Sequence, residues 1–143
     1  MKLTRFTDYS LRVLIYLAAE PGRRATIAEI AQAFEISEHH LTKVVHFLGK
    51  GGWLANVRGK GGGLGLARPP EQIGIGRVVR ETEGLVVPAE CFDHSQASCR
   101  IVRACVLKHA LREATDAFHA VLDRYTLADL ARDRRELAAV LFD

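Results

Sequence analysis

Cysteine, methionine, tryptophan and proline are all scarce in this chain, at three, one, one and four among 143 residues. An odd number of thiols cannot close into disulfides within one chain, so the fold has to rest on its core. At this length, with 48% apolar and 26% charged residues, one globular domain can bury such a core unaided. Long hydrophobic runs are missing too. The longest, residues 13–19, has seven members, against about 20 for a bilayer span. It follows Asp8 and Arg12, which suits an amphipathic helix better than a secretory signal. We therefore expect a cytoplasmic protein with reduced thiols and no membrane association.

Nucleotide-binding signatures are also lacking. In the stretch Gly59-Lys60-Gly61-Gly62-Gly63, Lys60 is followed by glycine where a P-loop needs Ser or Thr. Leu64 stands where a dinucleotide fingerprint needs its third glycine. No base-and-orienter set accompanies the cysteines, so no enzyme is expected, although His94 does lie near Cys91.

What is present is an uneven charge. Residues 1–80 carry 12 Lys/Arg against 6 Asp/Glu, whereas residues 81–143 carry 8 against 11. A basic front half points to a polyanionic partner. The apolar spacing of Leu11, Leu14, Ile15 and Ala18 predicts a first helix over 7–20, capped by Thr7. Thr26 and Glu29 have capping-box spacing and open a second helix. After the short link Glu35-Ile36-Ser37, Ser37 caps a third helix over 38–49, with Leu41, Val44, Val45 and Leu48 facing inward. Two helices joined by a tight turn fit a helix-turn-helix. Strands over 53–58 and 64–68, joined by the glycine-rich turn and carrying Arg58, Lys60 and Arg68, read as a wing.

The expected fold is thus mainly α, a winged helix-turn-helix with a long dimerisation helix. The expected division is a DNA-binding domain over 1–84, a loop over 85–105, and dimerisation and C-terminal helices over 106–143. Glu38, His39, His40 and Lys43 are expected to reach base edges or phosphates. Thr42 can add a phosphate or thymine-methyl contact, and Arg58 and Lys60 a minor-groove or phosphate contact. The capping residues Thr26 and Ser37 belong to the same DNA-facing set. A short helix is expected over 75–83, ended by Gly84. Beyond Cys105, Leu107, Leu111, Ala114, Phe118, Val121 and Tyr125 step by 4, 3, 4, 3 and 4, a coiled-coil seam suited to a homodimer. Thr126 with Asp129 caps a last helix from Leu127 towards Phe142.

All three cysteines fall within residues 91–105, spaced C-x7-C-x5-C. Zinc sites bring ligands in close pairs, and none occurs here, though His94 and His109 keep zinc open. Soft thiolates equally suit an iron–sulfur cluster. A cluster-bearing electron carrier would need no wing.

Taken together, the opening Met1-Lys2-Leu3-Thr4-Arg5-Phe6-Thr7-Asp8-Tyr9, the wing Val57-Arg58-Gly59-Lys60-Gly61-Gly62-Gly63-Leu64, the Val78-Val79-Arg80 helix, the cysteine frame and Tyr125-Thr126-Leu127-Ala128-Asp129-Leu130 resemble one family. It comprises the NsrR, IscR and RirA winged-helix iron–sulfur regulators, and within it the chain looks most like the NsrR type, which senses nitric oxide. The resemblance covers nearly the whole chain. It implies a homodimeric repressor on double-stranded, palindromic operator DNA. It also implies a [4Fe–4S] (or [2Fe–2S]) cluster held by Cys91, Cys99 and Cys105 of one subunit and Asp8 of the other, with Arg12 steadying that region. IscR-like proteins use a histidine where this chain has Lys108, with His109 one position on. The iron-responsive RirA type shares the cysteine frame.

Overall fold

A computed structural model of the chain describes residues 2–84, 87–92 and 99–142. Helix α1 (Arg5–Ala19) starts at Thr4, whose hydroxyl accepts from the Thr7 amide. The expected cap, Thr7, lies instead inside the first turn and is fully buried. Thr4 is the better cap because the rest of its hydrogen bonding is satisfied from far away in sequence. Its N–H and hydroxyl both donate to Glu83 Oε1, at 2.7 and 3.1 Å.

Helix α2 (Ile27–Phe34) has the capping box as read: the Thr26 hydroxyl accepts from Glu29 N at 3.2 Å, and Glu29 Oε2 from Thr26 N at 2.6 Å. It ends at Glu35, which takes a left-handed conformation at φ 53°. Ile36 N then donates back to Ala31 O at 3.0 Å, closing the tight turn into α3 (Glu38–Lys50). The Ser37 hydroxyl accepts from His40 N at 3.4 Å. Leu41, Val44 and Leu48 are buried against Val13 and Leu14 of α1 and Ile30 of α2.

Trp53, 1% exposed, closes the base of the hairpin formed by β1 (Leu54–Val57) and β2 (Gly63–Leu66). The antiparallel register pairs Leu54 with Leu66 and Val57 with Gly63. Ala25 adds a bridge to Leu64 that ties the hairpin to the start of α2. At the tip, a Cβ on Gly62 would collide with the Val57 carbonyl, so only glycine lets the chain reverse there.

Helix α4 (Ile75–Glu83) packs on α1 and ends at Gly84, with φ 69°. Helix α5 (Val106–Leu122) is shorter than expected, stopping before Tyr125. The Tyr125 carbonyl accepts from Ile75 N at 2.9 Å, and Thr126 pairs with Gly74, so residues 125–126 form a short extended pairing instead of a helical turn. The single last helix expected from Leu127 is in fact two: α6 (Leu127–Leu130) and α7 (Arg134–Phe142). Leu127 is fully buried and donates its N–H to Ile73 O, which fixes α6. Asp133 starts α7 anew, its carboxylate accepting from Glu136 N at 3.2 Å. Helix α7 returns to α1, where Phe142 meets Tyr16 edge-on at 5.1 Å under the Arg23 guanidinium at 4.1 Å. The outcome is a mainly helical winged helix-turn-helix from which α5 projects. No described helix is long and apolar enough to cross a membrane.

Candidate nucleic-acid interface and cysteine segment

Because Leu41 and Val44 anchor α3 inward, its periodicity turns the neighbouring positions out. Ser37, Glu38, His39, His40, Thr42 and Lys43 are all exposed. So are Arg58 and Lys60 at the tip of the wing, and Thr26 at the start of α2. Among the described residues no carboxylate forms an ion pair with Lys43, Arg58 or Lys60. Helix-turn-helix and wing therefore each present cations without an ion pair among the described residues, Lys43 on the one and Arg58 and Lys60 on the other, and the His39 and His40 rings lie 6.0 Å apart. Three of the expected contact residues have other work, among them Ser37, whose hydroxyl accepts from His40 N. The Thr42 hydroxyl donates to Glu38 O at 2.8 Å, and as an acceptor it keeps a lone pair. The Thr26 hydroxyl is taken up by the cap.

Asp8 lies one turn into α1. Arg12 grips it with two N–H donors, Nε to Oδ1 at 3.1 Å and Nη2 to Oδ2 at 2.9 Å. Both side chains stay more than two-fifths exposed, and each Asp8 oxygen keeps a second lone pair. Arg12 is itself held over the Phe34 ring at 5.7 Å.

The cysteines bracket the loop. Cys91 sits half-buried in a 3-10 turn over Glu90–Phe92, Cys99 is exposed, and Cys105 is half-buried at the start of α5. All three are free thiols. His94 lies outside the described residues, and His109 is exposed on α5. Lys108 and Arg112, one turn apart on α5, approach the Phe92 ring at 5.9 and 6.0 Å, which holds the Cys91 turn against that helix. Among the described residues of one chain, no three His, Cys, Asp or Glu side chains converge in a metal-binding group. The donors have the right chemistry for a thiolate-ligated centre, but the described residues of one chain do not gather them.

The seam residues of α5 divide. Leu107 and Val121 are 64% and 44% exposed and Ala114 is exposed. Leu111 is half-buried, and Phe118 packs on the chain's own core. Nothing on α5 is fully buried. Two features were not visible in the sequence. One is the Thr4–Glu83 link, which joins residues 79 apart. Burial pushes the Glu83 carboxyl up, but hydrogen bonds from Thr7 and Thr4 outweigh it and hold it below its ordinary value. The other is the two-pronged pair of Arg80 with Asp123, which clamps α4 to the end of α5.

The sequence model of the Rrf2 family, described as an iron-dependent transcriptional regulator, matches residues 3–133. The chain belongs to the Rrf2 family. A Bacillus subtilis (strain 168) member named HTH-type transcriptional regulator NsrR is 50% identical over 142 residues, 99% of this chain and 97% of its own length. Among solved structures, T. potens IscR superposes with a TM-score of 0.76 at 28% identity, covering 96% of this chain and 90% of that one. The oxidized form of Staphylococcus aureus CymR gives 0.73 at 30% identity, covering 92% and 96%. Rrf2 members of this kind are transcriptional regulators, not enzymes.

Proposed function

We propose that this Rrf2 protein is an iron–sulfur-dependent repressor that reads a palindromic operator as a homodimer and lets go when nitric oxide reaches its cluster. One observation carries the reading: the chain's only three thiols, all free, lie on the segment that joins the DNA-reading unit to α5, in a chain half identical to a protein named NsrR. Cys91, Cys99 and Cys105 of one protomer would hold the cluster, completed by Asp8 from the other. That arrangement fits the absence of a converged ligand set among the described residues of one chain. It also fits a carboxylate that is half-exposed and already oriented by Arg12. When bound, a [4Fe–4S] cluster would supply the iron with which nitric oxide reacts.

The remaining work belongs to the chain. Asp8 and the cysteine segment of the two protomers bridge the dimer, together with the apolar seam of α5, exposed at Leu107, Ala114 and Val121 and half-buried at Leu111 and Phe118. The bridge sets the span between the two α3 helices, which two-fold readers need at about 34 Å. Glu38, His39, His40, Thr42 and Lys43 enter the major groove, Arg58 and Lys60 follow the flanking backbone, and Thr26 and Ser37 present helix N-termini to phosphates. Loss of the bridge frees the helices from that span, and affinity falls.

The test is to purify the protein anaerobically and select its operator from a random duplex pool. Nitric oxide and an iron chelator are then titrated separately while a gel shift is followed. Release by nitric oxide is expected. Release by chelator alone would assign the protein to iron sensing. Zinc without sulfide in the purified protein would overturn the cluster. Cys99→Ala should be colourless and bind its operator weakly, and a full cluster spectrum in that variant would refute the ligand assignment.

A further inference from the structure

Between the first turns of α1 and the start of α3 lies a cleft of about 160 Å³, lined by Arg5, Phe6, Tyr9, His40, Lys43 and Val44. Its floor is apolar and firmly set. Val44 is 1% exposed, and Phe6 meets Phe47 edge-on at 5.3 Å. The Tyr9 ring lies 6.3 Å from that of His40, so α1 and the recognition helix share this wall. The rim carries two cations, Arg5 and Lys43, beside His40; all three are exposed, and no described carboxylate pairs with them. Asp8, the nearby acid on α1, is occupied by Arg12.

Arg5 is out of place by the rules of helix stability. It occupies the first turn of α1, where the helix dipole disfavours a cation. It makes no ion pair among the described residues in return. An apolar floor under a cationic rim matches the two faces of a nucleic-acid backbone, sugar on the floor and phosphate at the rim. We propose that this cleft seats one deoxyribose-phosphate unit beside the groove that α3 enters, with Arg5 and Lys43 on the phosphate and Tyr9 under the sugar. The proposal rests on the DNA-reading function above. It extends that interface from the helix-turn-helix and wing onto α1.

A phosphate contact is blind to sequence, so a fluorescein-labelled random duplex suffices as probe. Anaerobically purified full-length protein, with Arg5→Gln, Arg5→Lys and Lys60→Ala variants, would be titrated by anisotropy over a salt series. Arg5→Gln should lower the slope of log affinity against log salt by about 0.9 per protomer, or about eightfold in affinity per protomer near 0.1 M salt. Arg5→Lys should retain the slope. The thermal midpoint of Arg5→Gln should equal or exceed that of the parent, because the misplaced cation is gone; this separates lost contact from lost fold. A wild-type slope in Arg5→Gln, alongside a flattened one in Lys60→Ala, would overturn the cleft and leave the DNA-reading function standing. A parent protein without affinity for any duplex would overturn both.

Discussion

Gly76 is a position where one added carbon should separate α4 from α5. A Cβ there would fall on the Asp123 carboxylate and within 2.9 Å of the Asp123 backbone nitrogen. Neither can yield cheaply. Arg80 holds both carboxylate oxygens, and the Asp123 amide is engaged with His119 O at 2.9 Å. The end of α5 has to move off α4. Overpacking of this kind costs about 1–3 kcal/mol. The helix gains up to about 1 kcal/mol from replacing glycine by alanine, and less in a first turn. Gly76→Ala should therefore lose roughly 1–2 kcal/mol. Urea unfolding at fixed protein concentration reads this directly, by circular dichroism and by the fluorescence of the single buried Trp53. With a slope of about 2 kcal/mol per molar, the midpoint should fall by roughly 0.5–1 M. Adding Asp123→Ala to Gly76→Ala should recover part of the loss by opening the space. A midpoint that stays or rises in Gly76→Ala, or a double variant no better than the single one, would refute the close packing.

Thr26→Ala should cost about 1 kcal/mol in urea unfolding, as loss of a cap. Its partner Glu29 is held below its ordinary value by the Thr26 backbone N–H and then by the Thr26 hydroxyl. The stability that Glu29→Gln forfeits should accordingly be full above the ordinary carboxylate range and vanish as pH falls through the lowered folded value; a deficit that persists in strong acid would count against it. Glu83→Gln should raise amide exchange at the start of α1, because Thr4 loses a charged acceptor for two donors, and unchanged protection would show that this link holds nothing. Lys60→Ala should weaken binding to all duplexes alike and flatten the salt slope by about one unit per protomer. Weakening confined to one sequence would instead make Lys60 a base reader.

Local chemistry was legible in the sequence; tertiary claims on the same residues were not. The capping box at Thr26, the cap at Ser37 and the glycine turn of the wing were each readable because their partners lie within a few residues. Thr4 and Thr7 are equally good caps by type. The choice fell to Glu83, 79 residues from Thr4. The coiled-coil spacing of α5 is real, yet it does not distinguish a face for another subunit from one for the chain's own core. Phe118 goes inward while Leu107 and Val121 stay out. The stop at Leu122 comes from Ile73, Gly74 and Ile75 capturing residues 125–127, which no helical period can announce. The break before α7 did have a local signal, Asp133 three residues before Glu136, the same spacing that marks the start of α6.

In the proposed assembly, the signal must pass from the cysteine segment to α3, and α1 is the element able to carry it. Its second half is fixed: Val13 and Leu14 are fully buried, and Leu17 and Ala18 nearly so. Its first two turns bury Thr7 and Ser10 but also carry the half-exposed or exposed groups Arg5, Asp8 and Tyr9. Those turns are held at one end by Glu83, which immediately precedes Gly84 and the departure towards the cysteines. At the other end they bear on His40 through Tyr9. A pull on the cysteine segment thus reaches Thr4 through one carboxylate. A change at Asp8 reaches Arg5 within a single helical turn, since positions three apart share a face. Because the second half resists translation, strain applied at Thr4 or Asp8 acts on the first two turns before the rest. These are the turns that touch the recognition helix and line the cationic cleft. Cluster and operator would then be coupled across one helix end, without any rearrangement of the core.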